Sequence, residues 1–312
     1  MTEPDSYIRE EDKQEYRRFC AYHLPAFSRE LPPELWHYTS ADGLIKILQS
    51  GQIWSTQVAC LNDTLEQRFF GDLIHEVVKK RRAQNTDPKL AALFQTADDS
   101  LGNRDFTTAG HFVACFSEIE DDLGQWRGYG GGECGYAIAF RSDGVLEALK
   151  ARPAALLLPM NYQTKTHDFL VQDLLRTAET YFLAGLQRKE VTDITKWATE
   201  FIAAFAVELD IFACLIKHPK FSGEAERRIT TMLQPGEHMG LEFSQKRTLL
   251  ARHLPVDLSI LVGNQRQLPI TRIYVGPGAS RQVSRISVGD LLLKCGYKDI
   301  KVELSKVPYR VP

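Results

Sequence analysis

The sequence predicts a mixed α+β fold carrying a helical insertion. Short apolar runs bounded by turn residues occur both early and late in the chain. Two long helical patterns, about 166–188 and 194–217, stand between them. No long polar linker interrupts the sequence, which favours a single domain over 31–312 behind a helical lead-in over 1–30.

Each element has a local reason. Residues 7–22 read as a charged helix, and Pro32-Pro33 stops it and forces the chain extended. Trp36 to Thr39 feed a short helix. Ser40 is a good N-cap, Leu44, Ile45, Ile47 and Leu48 make one stripe, and Gly51 stands where a helix-ending glycine belongs. A strand is expected at 53–59. Asn62, Asp63 and Glu66 open a second helix with capping-box spacing, Leu65, Phe69, Leu73 and Val77 line one face, and Lys79 to Arg82 end it. Strands at 112–117 and 135–140 enclose a glycine-rich loop, Gly124 to Gly132, and a third strand is expected at 155–162. After the long helices come short strands at about 227–233, 256–262, 270–275 and 300–304, and a helix near 287–295.

Composition narrows the function. The 312 residues are 44% hydrophobic and 25% charged, which excludes a disordered, collagen-like or coiled-coil chain. A net charge of -2 gives no global basic field for nucleic acid. Six cysteines, Cys20, Cys60, Cys115, Cys134, Cys214 and Cys295, are scattered without the close pair that zinc needs, so they read as free thiols in a reducing cytoplasm. The polar N-terminus has no signal-peptide core, and the most apolar stretch, 201–216, is short and broken by Glu208 and Asp210, so a cytoplasmic protein without membrane contact is expected. There is no P-loop, no Gly-x-Gly-x-x-Gly fingerprint after a strand, no His-Glu-x-x-His and no Gly-x-Ser-x-Gly.

What remains is a set of polar residues in apolar or aromatic company. His37 sits between Trp36 and Tyr38, with Thr39 and Ser40 beyond. Ser117 closes an apolar strand. Gln125, Trp126, Arg127 and Tyr129 lie in the glycine loop, and Glu224, Glu226 and Arg228 follow a turn. Each has a plain structural reading too. His37 could be a core histidine, Asn62, Asp63 and Glu66 capping groups, Trp126 and Tyr129 core aromatics, and Glu224 and Glu226 a solvated stripe.

The order of these segments resembles the bacterial domain-of-unknown-function family 2971. The resemblance rests on HYTS (37–40), LND with Glu66, ACFSE (114–118), QWRGYG (125–130), GYAIAF (135–140), KHPKFSGEAERR (217–228), IYVGP (273–277) and VPYR (307–310). Arg227 replaces the tryptophan of that family's Glu-Trp-Arg. The succession of an early His with hydroxyls, a Ser or Tyr on a middle strand and a late Glu is in turn similar to the ADP-ribosyltransferase superfamily, as is GLIKILQSGQIW (43–54). That second resemblance implies a mostly antiparallel split sheet with flanking helices. It implies NAD as substrate and an unknown protein or nucleic-acid target, in the setting of a toxin or phage-defence effector. Glu226 then faces the ribose and Glu224 orients the acceptor. His37 holds a ribose hydroxyl, supported by Thr39 or Ser40. Ser117 shapes the wall, Tyr129 or Tyr136 stacks on nicotinamide, and Arg127 meets the pyrophosphate. Tyr38, Asn62, Asp63, Glu66, Gln125, Trp126 and Arg228 are further pocket candidates. No metal is implied. A non-catalytic sensor of an NAD derivative and a nucleic-acid-acting defence protein, the latter using Lys79 to Arg82 and Arg227-Arg228, are the alternatives.

Overall fold

The computed structural model describes residues 6–308 except 62–63, 102–109, 131–134, 190, 234–235, 247–248 and 279. The side chains of 26, 64–68 and 246 also lie outside the described set. In chain order the elements are α1 (Glu10–His23), β1 (Glu34–Thr39), α2 (Ala41–Ser50), β2 (Gln52–Gln57), α3 (Thr64–Gln84), α4 (Pro88–Leu101), β3 (His111–Ser117), α5 (Leu123–Tyr129), β4 (Tyr136–Arg141) and α6 (Ser142–Leu149). They continue with β5 (Leu156–Pro159), α7 (Thr164–Arg188), α8 (Ile194–Ala213), β6 (Glu226–Met232), β7 (Glu242–Lys246), β8 (Leu249–Asp257), β9 (Ile260–Val262), β10 (Gln265–Gln267), β11 (Ile270–Val275), α9 (Arg281–Lys294) and β12 (Lys301–Leu304).

Two compact units emerge. One comprises Met1–Ser28, Val58–His111 and Met160–Phe221, and the other Arg29–Gln57, Phe112–Pro159 and Ser222–Pro312. The first is helical, and α1 joins α3, α4, α7 and α8 there. Its interior is aromatic: Trp197, Phe201, Phe205 and Phe212 along α8 are all buried, and Tyr16 of α1 meets Phe201 and Phe205 edge-on. Gly185 of α7 lets the Trp197 ring lie against the backbone, since a Cβ there would stand 2.2 Å from Cζ2.

The second unit is built on a mostly antiparallel open sheet with flanking helices, so the chain as a whole is mixed α+β. Among the described residues the sheet runs β12-β11-β4-β1-β3-β2-β8-β7, with β6 pairing both β3 and β5. The β11–β12 pair is parallel, whereas β1–β3, β1–β4, β4–β11, β2–β3, β2–β8, β5–β6 and β7–β8 are antiparallel. Alternation along β1 explains why both faces are covered. Leu35 belongs to one core cluster, with Leu44, Ile47 and Leu48 of α2 and Val288 and Leu292 of α9. Trp36 and Tyr38 belong to another, with Trp126 of α5 and Tyr274 of β11. The start of α2 is as the sequence expects: Ser40 Oγ accepts from Gly43 N at 3.2 Å, and Gly51 closes the helix at φ 70°.

Several expectations are corrected. The glycine loop begins as a helix, α5, because Asp122 caps it by accepting from Gln125 N at 2.9 Å and Trp126 gives it a buried anchor. The long second helix ends at Ala213 rather than 217. The strand expected over 155–162 is limited to 156–159, and that over 256–262 is divided between β8 and β9. Helices α4 and α6 and strand β7 were not anticipated. The α4 start carries a legible signal, Asp87 accepting from Lys89 N ahead of Pro88 at the first helical position. Among the described residues no helix is long and apolar enough to cross a membrane. Cys134 lies outside the described residues. Among the described residues the other five cysteines form no disulfide, and Cys20, Cys60 and Cys214 are buried.

Candidate functional site

The site grows from the junction of β1 and β3. These two strands share a single residue pair, Trp36 with Ser117, although β1 pairs with β4 along its whole length. Beside that pair, His37 Nδ1–H donates to the Cys115 carbonyl at 2.9 Å. A carbonyl only accepts, so this bond fixes the proton on Nδ1 and leaves Nε2 with a lone pair. Burial, opposed by the bond to Cys115, lowers the His37 pKa and favours this neutral tautomer.

A cleft opens here, lined by Trp36, His37 and Tyr38 from β1, Cys115, Phe116 and Ser117 from β3, Gln125 and Tyr129 from α5, and Glu224 and Glu226. Four segments of the chain therefore meet at one place. The enclosed space is about 50 Å³, room for a few waters or the edge of one ring. Pockets that swallow a whole small ligand run to ~300–1,000 Å³. A larger ligand would thus insert only one end.

Glu226 begins β6 and is 4% exposed. Arg228, two residues on and 2% exposed, grips it at both oxygens, Nε to Oε1 at 2.6 Å and Nη2 to Oε2 at 3.1 Å. The bidentate fork fixes the plane of the carboxylate. Glu224 is not on the same strand face, contrary to expectation. It ends a 3-10 turn, Pro219–Glu224, and Ala225 follows in the left-handed region at φ 42°. The kink nevertheless brings both glutamates to the cleft. Nor do these residues form a solvated stripe, since Glu226, Arg227 and Arg228 are all buried. Arg227 donates to Glu118 at 2.9 Å and to the Glu30 carbonyl at 3.0 Å, and burial lowers its pKa.

Other candidates have different placements. The Ser117 hydroxyl is a latch: it donates to the Glu224 carbonyl at 2.9 Å and accepts from Ile119 N at 3.1 Å. Tyr38 lines the cleft, but its hydroxyl donates to the Ile119 carbonyl and accepts from Asp122 N, and burial raises its pKa. Tyr129 lines the cleft with a partly exposed ring. Thr39, Ser40, Trp126, Arg127 and Tyr136 do not line it. Ser40 serves as cap. Trp126 is buried with Nε1–H on Asp121, Arg127 is exposed, and Tyr136 sits in the core cluster. Asn62 and Asp63 lie outside the described residues. Glu66 is on α3, with its side chain likewise outside them.

Residues 125–229 match a family model described as Protein of unknown function (DUF2971). The matched stretch is less than half of the chain. It contains Gln125, Tyr129, Glu224 and Glu226 of the cleft, but not the β1 and β3 walls. No curated protein and no solved structure matches the chain.

Sequence reasoning passed over Trp36, Cys115 and Phe116 as lining residues. Their only signal was adjacency to His37 and Ser117. Among the described residues no cluster of His, Cys, Asp and Glu could hold a metal ion.

Proposed function

We propose that this chain is an ADP-ribosyltransferase-like enzyme that cleaves the nicotinamide–ribose bond of NAD and passes ADP-ribose to a macromolecular acceptor. One observation carries the reading: His37, Ser117 and Glu226, far apart in sequence, line a single cleft together with Glu224 and Tyr129. In the reaction the bond between ribose C1′ and the ring nitrogen breaks, and its electron pair leaves with nicotinamide. C1′ then bonds to a nucleophilic atom of the acceptor, which gives up its proton. Positive charge builds on the ribose in between, as in glycoside cleavage. A carboxylate of fixed orientation stabilises that charge without reorganising. Arg228 holds each Glu226 oxygen, which fixes the plane that the carboxylate turns toward the ribose. His37 Nε2 accepts from another hydroxyl or from the ring substituent. The small enclosed volume suits the nicotinamide end, with the remaining dinucleotide on the open surface.

The test is NAD labelled in the nicotinamide and the adenylate, incubated with the protein alone and with cell extract. Wild type should release nicotinamide, and Glu226→Gln should be slower by about 100-fold or more. Absence of any turnover or transfer by wild type sinks the reading. Equal rates in both remove Glu226 from its role.

The grip of Arg228 on both Glu226 oxygens favours a second reading, a module that binds an NAD derivative without turnover. Saturable thermal stabilisation by ADP-ribose with no product formed selects it. The arginines of the basic clusters are already engaged by carboxylates. Arg81 pairs with Glu179, Arg82 with Asp98, Arg227 with Glu118 and Arg228 with Glu226.

A further inference from the structure

We infer that Gln125 is the specificity residue of the cleft, and that it selects a planar ligand head bearing a primary carboxamide over one bearing a carboxylate. This rests on the NAD reading and assigns the end of the dinucleotide that enters. Gln125 is 8% exposed and lines the cleft. Its backbone N–H caps α5 on Asp122, while its side-chain amide makes no hydrogen bond among the described residues. That amide offers two N–H donors and a carbonyl acceptor at the cleft wall. Nothing in the fold uses them, so they are available to a ligand. The neighbouring polar groups decide which ligand. His37, its proton held on Nδ1 by the Cys115 carbonyl, presents an acceptor at Nε2. Glu224 and Glu226 add carboxylates to the same wall. A ligand carboxylate brings no N–H for His37 or for the Gln125 carbonyl, and it meets two acids. A primary carboxamide supplies both an acceptor and donors, and its ring can lie against Tyr129.

The experiment compares NAD with nicotinic acid adenine dinucleotide, which differs only at that group, using the full chain. Wild type should favour NAD in kcat/KM by about 10-fold or more. Gln125→Leu should lose most of that preference through slower use of NAD alone, and Gln125→Asn should retain part of it. Loss of folded protein lowers both rates together, so the ratio is read on variants whose thermal melt matches that of wild type. An unchanged ratio in such a Gln125→Leu, with Gln125→Asn also unchanged, overturns the assignment while the NAD reading stands. If wild type turns over neither dinucleotide and free nicotinamide produces no shift in its spectrum, the NAD reading falls and this assignment with it.

Discussion

Removing the Arg228 guanidinium by Arg228→Met should destabilise the sheet unit by about 3–5 kcal/mol, the usual result of stripping one partner from a buried ion pair. The structure sets the magnitude. Both side chains are almost wholly buried, at 2% and 5% exposure, and two hydrogen bonds of 2.6 and 3.1 Å join them. The methionine fills most of the arginine stem but leaves the Glu226 carboxylate without its cation, in a place where water cannot replace it fully. Glu226→Leu alone should cost a similar amount, because it takes a carboxylate held through two hydrogen bonds from beside a buried guanidinium. The double variant should recover most of the loss, since no charge is then left unpaired. Urea melts followed by tryptophan fluorescence, with Trp36 and Trp126 in the same unit, give the four corners of a double-mutant cycle. A coupling energy of about 2 kcal/mol or more is expected. Additive losses, or a cost below about 1 kcal/mol for Arg228→Met, would refute the view that the pair is a tightly held buried unit.

Two further outcomes follow from burial and from packing. His37 and His167 both have pKa values lowered by burial, so below about pH 6.5 the unfolded chain takes up protons more readily than the folded one. Stability should be level above that pH and decline beneath it, His37→Gln should decline less steeply, and a wild-type-minus-variant difference independent of pH would contradict this. Gly185→Ala should cost about 1–3 kcal/mol in thermal or urea melts although alanine is the better helix former, because its Cβ meets the buried Trp197 ring; a gain in stability would show that the ring yields freely.

The parts of the fold that were legible in sequence are those with local causes. The α2 helix, with Ser40 before it, an apolar stripe within and Gly51 after, is decided by neighbours along the chain. The strands His111–Ser117 and Tyr136–Arg141 are apolar enough to be recognised alone. What failed depended on distant partners. Five glycines between 124 and 132 suggested a loop, yet Trp126 packing on Tyr38 and its Nε1–H on Asp121 make a helix worthwhile there. Alternation placed Glu224 and Glu226 on one strand, and no local rule announces the left-handed turn at Ala225 between them. The same distinction governs the site. The chemistry of His37, Gln125 and Glu226 could be suspected from residue type. That the Ser117 and Tyr38 hydroxyls are spent on backbone groups depends on Glu224, Ile119 and Asp122 being where they are.

The clasp between the His37 ring and the Cys115 carbonyl separates the form of the opening from its character. Protonating the imidazole leaves the Nδ1–H in place, so the clasp persists in acid. The far nitrogen, however, turns from a seeker of hydrogens into a giver of one. Acidification therefore inverts the polarity that a visiting molecule encounters at that point while the aperture keeps its dimensions.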